Sequence, residues 1–523
     1  MFLTLIAVAM VAAGCRGGES EPQMTGTPDP NATVKMAGED LWGGLGAQSS
    51  HFAFPLNLNV YEPLIFLKPD YTLDPGLAEK WEPTETGWRF HLRKGVTFHD
   101  GHPLNADDVV WSLGERMNVG RTLTTLVRAL DYDHNPEAVR KVDDLTVDIN
   151  PAKPDRSLPE ELVHPLASIL PKGHHFFSEP ASGTGPFKVA EYRTGEFVRV
   201  ERYDGYWGAK AKVKTIEMTF IPNPDDRIEA LNKGRVDFLV DLPPDTVTEI
   251  KENSKFRVIQ SKPGRTQQIF LPRVPRQGGF DLTTDKAVRE AVARAIDPRS
   301  YVTKVMKGNA EPGRWMAPRA VLGTSADLVK AVGRNRARAG QILDQAGWAR
   351  GADGIRAKDG RRLTLTLIAW AEVGQLSLDA VRDELRPVGI ETKFETVVDQ
   401  LEYRDLYNSG MFDLDLEVPS QNDANPAFIP VLRFASSSPA TEYFAPGGSF
   451  DEIAARAKNA KDRSQAQQAS AEMMRVLINE EYEVVPLAAL YRIYAMKKSV
   501  NLGEVHPSQP SQRWTTLNVT KTK

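Results

Sequence analysis

Two histidines and three aspartates fall within ten residues, from position 99 to position 108. Histidine and aspartate serve in metal ligation and in acid–base chemistry, so this spacing could indicate a reactive site. The same residue types also shape turns and helix ends. Asn105 is a good N-cap, and Asp108, three positions later, can complete a capping box. Because no further ligand pattern accompanies His99 and His102, the sequence favours the structural interpretation.

Other candidate reactive groups are sparse. His164, His174 and His175 form the densest histidine group, and the segment between them, PLASILPKG, predicts a surface connection. The chain contains no phosphate-binding loop of the Gly-x-x-x-x-Gly-Lys-Ser/Thr type, no His-Glu-x-x-His and no Gly-x-Ser-x-Gly. In SGTGPF, Pro186 removes a backbone donor that a phosphate cradle would need. We therefore predict no catalytic residues, no metal and no cofactor, and the protein is not expected to be an enzyme.

Length and composition limit the architecture and the partners. A chain of 523 residues is too long for one compact core, so two or more lobes are expected. Hydrophobic residues make up 41% and charged residues 26%, with a net charge of −4, which is typical of a globular protein without a nucleic-acid partner. A single cysteine excludes a disulfide framework and Cys-based zinc sites within the chain.

The cysteine ends an apolar segment, MFLTLIAVAMVAAGC. The apolar run is too short to span a bilayer and has the length of a signal-peptide core. The final Ala-Ala-Gly-Cys resembles a bacterial lipobox, which predicts a signal peptide over 1–15 and a lipid anchor on Cys15. Residues 16–35 are polar and rich in Gly, Pro, Ser and Thr, and they predict a flexible tether. The alternative is a buried N-terminal helix with an incidental cysteine.

Most of the body alternates between strand and helix patterns. Period-two alternation predicts strands at 88–92, 363–370 and 412–418, and helical periodicity predicts helices that include 285–296 and 403–409. Near the end, VVPLAALYRIYAM predicts one last apolar strand over 484–496. This alternation indicates mixed sheets covered by helices, which is the α/β class.

The stretch from Val60 to Leu113 resembles the signature region of family 5 extracellular solute-binding proteins, the peptide-, dipeptide- and nickel-type receptors of ABC importers. The blocks GTGPFKVAEY, YDGYWG and VREAVARAID continue the likeness through the body. The matching residues of the signature are Tyr61, Glu62, Pro63, Leu64, Pro75, Leu77, Ala78, Trp81, Phe90, Leu92, Arg93, Gly95, Val96, Phe98, His99, Asp100, Gly101, Ala106, Asp108 and Val109.

This resemblance implies an α/β, two-lobed periplasmic-binding-protein fold, of type II and cluster C, with a small inserted third domain. Lobe I is expected to comprise 36–62, 180–265 and 489–523, the small domain 63–179, and lobe II 266–488. The implied protein is a monomeric receptor, lipid-anchored at the periplasmic or extracytoplasmic face. It would capture a peptide or small polar solute between its lobes and deliver it to a membrane permease. A nickel or nickel-complex receptor and a sensory or chaperone-like receptor are the alternatives.

The family also suggests where an amino-terminal ligand group is held. In peptide-binding members, an aspartate in an Asp-x-x-x-Pro-like segment after a lobe II strand holds the α-ammonium group. Asp423, next to Asn422, is the best match, although Pro426 comes one residue earlier than in that pattern. A turn is the other interpretation, because Asn, Asp and Pro all favour turns.

Three aromatic residues are further candidates for ligand contact. His51 and Phe52 precede the YEPL motif, where the resemblance places residues near the ligand. They either line a pocket or pack in the lobe core, and large apolar groups are usually buried. Trp370 ends a predicted strand, where a tryptophan either stacks on a ligand or packs against its own lobe.

Overall fold

The computed structural model describes most of the chain beyond the first segment. The described residues are 27–38, 59–116, 130–132, 134–153, 155–164, 167–174, 181–193, 195–274, 280–370, 373–397, 400–419, 424–436, 448–503, 505–507 and 518–522. Within these ranges, no helix combines the length and the apolar character needed to cross a membrane.

Strands and helices alternate along the chain, as the sequence predicts. The strands are β1 Thr33–Gly38, β2 Ile65–Leu67, β3 Leu73–Pro75, β4 Ala78–Pro83, β5 Trp88–Leu92, β6 Val139–Asp143, β7 Thr146–Ile149, β8 Phe187–Arg193, β9 Phe197–Arg202, β10 Thr215–Phe220, β11 Phe238–Leu239, β12 Phe256–Gln260, β13 Arg265–Phe270, β14 Ala310–Pro312, β15 Ala349–Arg350, β16 Arg356–Lys358, β17 Arg361–Arg362, β18 Thr364–Trp370, β19 Glu391–Val397, β20 Leu414–Glu417, β21 Val484–Leu490, β22 Ile493–Lys497, β23 Val500–Asn501 and β24 Thr520–Lys521. The α-helices are α1 Ala106–Val110, α2 Leu158–Glu161, α3 Pro224–Asn232, α4 Val247–Glu252, α5 Lys286–Ala295, α6 Pro298–Lys304, α7 Arg319–Leu322, α8 Arg336–Gln345, α9 Gln375–Leu385, α10 Gln400–Ser409, α11 Phe428–Phe434, α12 Ser449–Lys458 and α13 Arg463–Arg475.

The first sheet has seven strands in the order β12-β22-β11-β1-β10-β9-β8. Strand β1 runs parallel to β10 and β11, whereas the other pairs are antiparallel. Residues alternate between its faces, so that Ile493 and Ala495 pack with helices α3 and α4, while Tyr494 and Met496 join the core on the other side. This alternation buries both faces of the central strands.

The second sheet has six strands in the order β14-β21-β13-β20-β18-β19. Strand β18 is parallel to β19 and to β20, and β13 is antiparallel to β20 and β21. Helices α5, α6, α8 and α9 cover the face that carries Leu414 and Leu416. Helices α11, α12 and α13 pack against the opposite face, which carries Phe270. The sequence predictions for α5, α10, β18 and β20 are confirmed to within a few residues.

A smaller body is inserted between β1 and β8. Its four-stranded sheet has the order β4-β5-β7-β6, and helix α1 packs beside it. Phe90, Phe98 and Val109 are completely buried in its core. Val321 and Ala424, which come from the part of the chain that forms the second sheet, lie in the same core. The predicted boundaries of the three domains stay a prediction.

The chain passes between the first and second sheets at two adjacent connections. Residues 261–264 join β12 to β13, and Tyr491 and Arg492 join β21 to β22. The connections bond to each other, because the Ser261 amide donates to the Arg492 carbonyl and the Arg492 amide donates to Ser261 Oγ. The prediction of one strand over 484–496 is wrong. Its two halves pair with different sheets, and the apolar run hides the break because both halves are buried.

Candidate functional site

The stretch from 99 to 108 is held by its own hydrogen bonds. Asn105 caps helix α1 by accepting from the Asp107 amide, and Asp108 completes the capping box. The buried Asp108 carboxylate also accepts from the Lys172 amide at 2.8 Å and lies 3.1 Å from His102 Nε2. The structural interpretation of these residues is therefore confirmed.

His99 links the small domain to the segment that leads into β8. Its Nδ1 accepts from the Gly183 amide at 3.3 Å, so Nε2 carries the hydrogen and donates to the Gly185 carbonyl at 2.9 Å. Burial lowers the pKa of His99 to about 4. The imidazole is therefore neutral at pH 7 and serves as a bridge between backbone groups.

Three blocks of the family signature meet at one buried carboxylate. Glu62, from YEPL, is completely buried. Its Oε1 accepts from the Tyr206 hydroxyl at 2.7 Å, and its Oε2 accepts from Trp207 Nε1 at 2.8 Å and from Thr184 Oγ1 at 2.9 Å. Thr184 belongs to GTGPF and the two aromatic residues to YDGYWG. Glu62 therefore fastens three chain segments that are distant in sequence.

The glycines of GTGPF allow this close approach. A Cβ on Gly183 would lie 1.9 Å from the Val60 carbonyl oxygen, and a Cβ on Gly185 would lie 1.9 Å from the Asn59 carbonyl oxygen. The Gly185 amide donates to the Val60 carbonyl at 3.0 Å. Backbone thus packs on backbone, which explains the glycines without any phosphate ligand.

The predicted surface connection between His164 and His174 is wrong. Ile169 and Leu170 are completely buried, and Ala167 is nearly so. The Ile169 amide donates to the Glu62 carbonyl, which anchors the segment beside the YEPL motif. Among the described residues, no group of three or more His, Cys, Asp or Glu side chains has the arrangement of a metal site.

The parallel strands of both sheets end near the two connections. In the first sheet, β11 ends opposite the middle of β22, where Leu239 pairs with Ala495. In the second sheet, β20 ends opposite the middle of β13, where Glu417 pairs with Gln268. Tyr71 of the small domain reaches the same place, with its hydroxyl 3.5 Å from the Gly264 carbonyl. We use the name crossing edge for the region formed by the ends of β11 and β20 together with the two connections, residues 261–264 and 491–492. In α/β proteins, ligands bind outside the carboxyl ends of parallel strands.

The second sheet presents a row of three residues at the crossing edge. The strand register places Trp370, Glu417 and Gln268 side by side on β18, β20 and β13, on one face of the sheet. Trp370 is partly exposed, and its ring stacks on Tyr403 with centroids 4.8 Å apart. Gln268 is completely buried, and neither its amide oxygen nor its nitrogen has a hydrogen-bond partner among the described residues. Buried amides of this kind normally find a partner.

An arginine pairs with the acidic residue of this row. Arg433 of α11 donates to both oxygens of Glu417, at 2.5 and 2.7 Å. Tyr403 donates its hydroxyl to Asp415 at 2.6 Å. Burial raises the pKa of Asp415 well above its usual value, and the nearby Glu417 raises it further. Burial also raises the pKa of Glu417, while Arg433 opposes that shift. The two bonds from Arg433 compensate the charge of Glu417, whereas Asp415 accepts a hydrogen bond from Tyr403.

The small domain contacts the second lobe next to the segment that carries the predicted ammonium anchor. The Ala424 amide donates to the Glu160 carbonyl at 3.3 Å, and Asn425 Nδ2 donates to Ser157 Oγ at 3.1 Å. These bonds join helix α2 of the small domain, with the residue before it, to the chain that follows β20. Any opening between the two bodies would break them.

Two grooves lie elsewhere on the second lobe. They have volumes of about 350 and 320 Å³, and both are lined by Ala331, Val332 and Gly333. One reaches Val484, at the start of β21, whereas the crossing edge lies at the other end of that strand. Arg294, which lines the other groove, already pairs with Glu290 at 2.7 Å. The grooves therefore lie apart from the crossing edge.

The structure places one of the predicted ligand-contact residues. Trp370 lies at the crossing edge, as described above. The remaining predicted residues lie outside the described residues: Cys15, His51, Phe52, Asn422 and Asp423. Gln268, Glu417 and Arg433 were not predicted from the sequence. The sequence LDLE could have indicated the site, because its acidic residues alternate with leucines in a buried strand. A charge is costly to bury unless it is paired, so such residues usually have a partner.

A chain that crosses twice between two α/β lobes, with parallel strands ending at the crossing, has the architecture of extracytoplasmic ligand-binding receptors. The model of bacterial extracellular solute-binding proteins, family 5 (middle region), matches residues 72–439, and the chain belongs to this family.

Relatives and solved structures agree with this assignment. Protein XP55 of Streptomyces lividans is 29% identical over 65% of this chain and 62% of its own length. The peptide transport periplasmic protein SapA of Salmonella typhimurium is 24% identical over 87% of this chain and 85% of its own length. NikA from Brucella suis, solved with Fe(III)-EDTA, superposes with a TM-score of 0.79 at 23% identity, covering 94% of this chain and 100% of NikA. DppA from Helicobacter pylori, solved with the peptide STSA, gives 0.77 at 20% identity, covering 94% and 98%. These superpositions show the two-lobed α/β fold.

Proposed function

We propose that this chain is the substrate-binding component of an ABC importer, which captures peptides or similar small polar solutes between its lobes. The observation that carries the proposal is the crossing edge, where the parallel strands of two sheets end beside two bonded connections. Family membership supports the same function, since relatives include the dipeptide-binding protein of Escherichia coli, 28% identical over 57% of this chain and 62% of its own length.

The proposed mechanism is closure on the ligand. A ligand that contacts both lobes at the crossing edge stabilises the closed form, because it gains contacts that the open form lacks. In this proposal the bonds from Ala424 to Glu160 and from Asn425 to Ser157 belong to the closed form. In this proposal Asp423, next to Asn422, holds the ligand's ammonium group, and Trp370, His51 and Phe52 contact the rest of the ligand. No covalent step is required.

The location of the receptor is part of the proposal. We propose that Cys15 carries a lipid, that residues 16–35 are a tether, and that the lobes comprise the ranges given by the sequence analysis. The receptor then works as a monomer at the extracytoplasmic face of the membrane and presents its closed form to the permease. A Cys15→Ser variant is expected to lose the lipid mass and to leave the membrane fraction. Unchanged membrane association of that variant would contradict the anchor.

Native mass spectrometry of the purified full-length chain tests the ligand class. The native mass is compared with the denatured mass after purification without refolding. A ladder of additions that fragment into short peptides supports the peptide receptor. A single metal-containing addition would instead favour the second candidate, a nickel or nickel-complex receptor. The nickel-binding periplasmic protein of Escherichia coli, 26% identical over 64% of both chains, favours that candidate. Peptide binding without peptide uptake in cells would favour the sensory or chaperone-like receptor.

A matched pair of variants tests the ammonium anchor. Asp423→Asn removes the charge that would pair with an α-ammonium group while keeping the size of the side chain. Asp353→Asn is the control, because Asp353 is an exposed residue of the second lobe that pairs with Arg362. Loss of the peptide ladder in the first variant and its retention in the second is the expected result. Retention in both would assign the Asp423 segment to a structural turn.

A further inference from the structure

An arginine lies within the connection between the sheets. Arg492 is the last residue before β22, and its side chain is completely buried. Its backbone is fixed on both sides, since its amide donates to Ser261 Oγ at 2.8 Å and its carbonyl accepts from the Ser261 amide at 2.9 Å. A charged side chain in this position needs compensation, because an unpaired buried charge costs several kcal/mol.

The charge and the donors of Arg492 are only partly compensated within the chain. Arg492 Nη1 lies 2.9 Å from Asp241 Oδ2, which forms an ion pair. Tyr494 also interacts with the guanidinium group. Nε, Nη1 and Nη2 nevertheless have no well-oriented hydrogen-bond acceptor among the described residues. A guanidinium group has five N–H donors in a planar fork. Arg492 therefore keeps most of its donor capacity in a buried place.

Asp241 also has an unused hydrogen-bond acceptor and an uncommon backbone conformation. Its Oδ1 is buried and has no hydrogen-bond partner among the described residues. Its φ is 53°, in the left-handed region that residues with a side chain seldom adopt. Such conformations persist where the surroundings fix them, and they concentrate at functional sites. Leu242 then donates its amide to the Ile493 carbonyl, which fixes Asp241 beside the start of β22.

Arg492 and Asp241 lie at the crossing edge. Val240 donates its amide to the Ala37 carbonyl, so Asp241 follows the carboxyl ends of both β1 and β11. Burial lowers the pKa of Arg492, but Asp241 and Tyr494 together more than offset this, so the net pKa is raised and the group stays charged. A cation with spare donors, at the edge where ligands bind in α/β folds, fits an anionic ligand group.

We propose that Arg492 binds the carboxylate of the ligand, and that Asp241 positions the guanidinium group. A carboxylate accepts two parallel N–H groups from one arginine, which matches the spare donors. This inference rests on the proposed function and names the ligand chemistry that this part of the crossing edge takes.

Binding of paired peptide pools to the full-length chain tests the inference. One pool contains random tetrapeptides with a free carboxylate, and the other contains the same peptides as carboxyl-terminal amides. Because a charge-assisted hydrogen bond is worth about 1.5–3 kcal/mol, the free acids should bind about 10- to 100-fold more tightly. Titration calorimetry gives both affinities, and retained peptide is first removed by dialysis in mild denaturant with the fold checked by circular dichroism.

Two arginine variants test whether the preference for free acids depends on Arg492. Arg492→Lys keeps the charge but loses the planar fork, so the preference for free acids should fall to less than about 3-fold. Arg289→Lys is the matched control, because Arg289 is an equally buried arginine of the second lobe that donates to the Thr283 and Glu481 carbonyls. This control should keep the wild-type preference.

The outcomes separate this inference from the proposed function. Equal binding of acids and amides by the unaltered chain overturns the carboxylate site while leaving the peptide receptor intact. An unchanged preference in Arg492→Lys overturns the role of Arg492. Binding of neither pool overturns both. The comparison on the unaltered chain needs no variant, so it decides the question even if Arg492→Lys fails to fold.

Discussion

Removal of the Glu62 carboxylate should loosen the junction of the three signature segments. In Glu62→Met, the buried hydroxyls of Thr184 and Tyr206 and the partly buried indole of Trp207 lose the carboxylate as acceptor. An unsatisfied buried donor costs about 1–3 kcal/mol, so three donors imply a loss of about 3–6 kcal/mol of unfolding free energy after local relaxation. This is a large share of the total, because domains are stable by only about 5–15 kcal/mol.

The substitution Glu62→Gln removes the charge of the side chain but keeps its size and shape. The amide oxygen can accept from both Thr184 and Trp207, and the amide nitrogen can donate to the Tyr206 hydroxyl oxygen. Thr184 and Trp207 keep an acceptor, and Tyr206 changes from donor to acceptor, so all the contacts become neutral hydrogen bonds, which are about half as strong as charge-assisted ones. We therefore expect Glu62→Gln to cost about 1–2 kcal/mol.

Urea unfolding followed by circular dichroism measures both variants. Glu196→Gln is the control, because this exposed glutamate of the β8–β9 turn should change stability by less than about 0.5 kcal/mol. The order of stability should be control, then Gln, then Met. A loss below about 1 kcal/mol in Glu62→Met, or equal losses for Gln and Met, would refute the view that the carboxylate bonds hold this junction.

Three further perturbations test other parts of the structure. Gly185→Ala should cost at least about 2 kcal/mol, because its Cβ would clash with the Asn59 carbonyl, and calorimetry showing a smaller loss would contradict the close approach. Hydrogen bonding to Arg89 lowers the pKa of Asp148, so the bond stabilises the fold above about pH 4 and is lost as the pH falls further. Asp148→Asn should therefore be less stable than the unaltered chain at pH 7, and the difference in urea midpoint should shrink at pH 3; a constant difference would contradict this. Asn425→Ala removes the bond to Ser157 and should weaken ligand binding by about 3- to 10-fold in titration calorimetry, whereas unchanged affinity would exclude a role in closure.

The alternation of strands and helices was predictable because it depends on local periodicity. The capping box of Asn105 and Asp108 was predictable for the same reason, since both partners lie within four residues. The break at Arg492 was not predictable. The apolar residues on its two sides pack in different sheets, and a sequence pattern does not say which sheet a buried strand joins.

The candidate site was only partly predictable, because its residues come together through the topology. Trp370 was found from its position at a strand end. Gln268 was missed, because a glutamine in a strand usually faces solvent, and only the pairing of β13 with β20 shows that this one is buried beside Glu417. Asp241 was missed because its meaning depends on Arg492, which is 251 positions away in sequence.

A crystal structure of the chain with the ligand that it retains through purification would show the binding site itself. We expect peptide density at the crossing edge, between the carboxyl ends of β1 and β11 in the first lobe and those of β18 and β20 in the second. A carboxylate should lie within hydrogen-bond distance of the Arg492 guanidinium group. Ligand density in the grooves beside Val332, or a ligand at the crossing edge with no carboxylate near Arg492, would contradict these expectations.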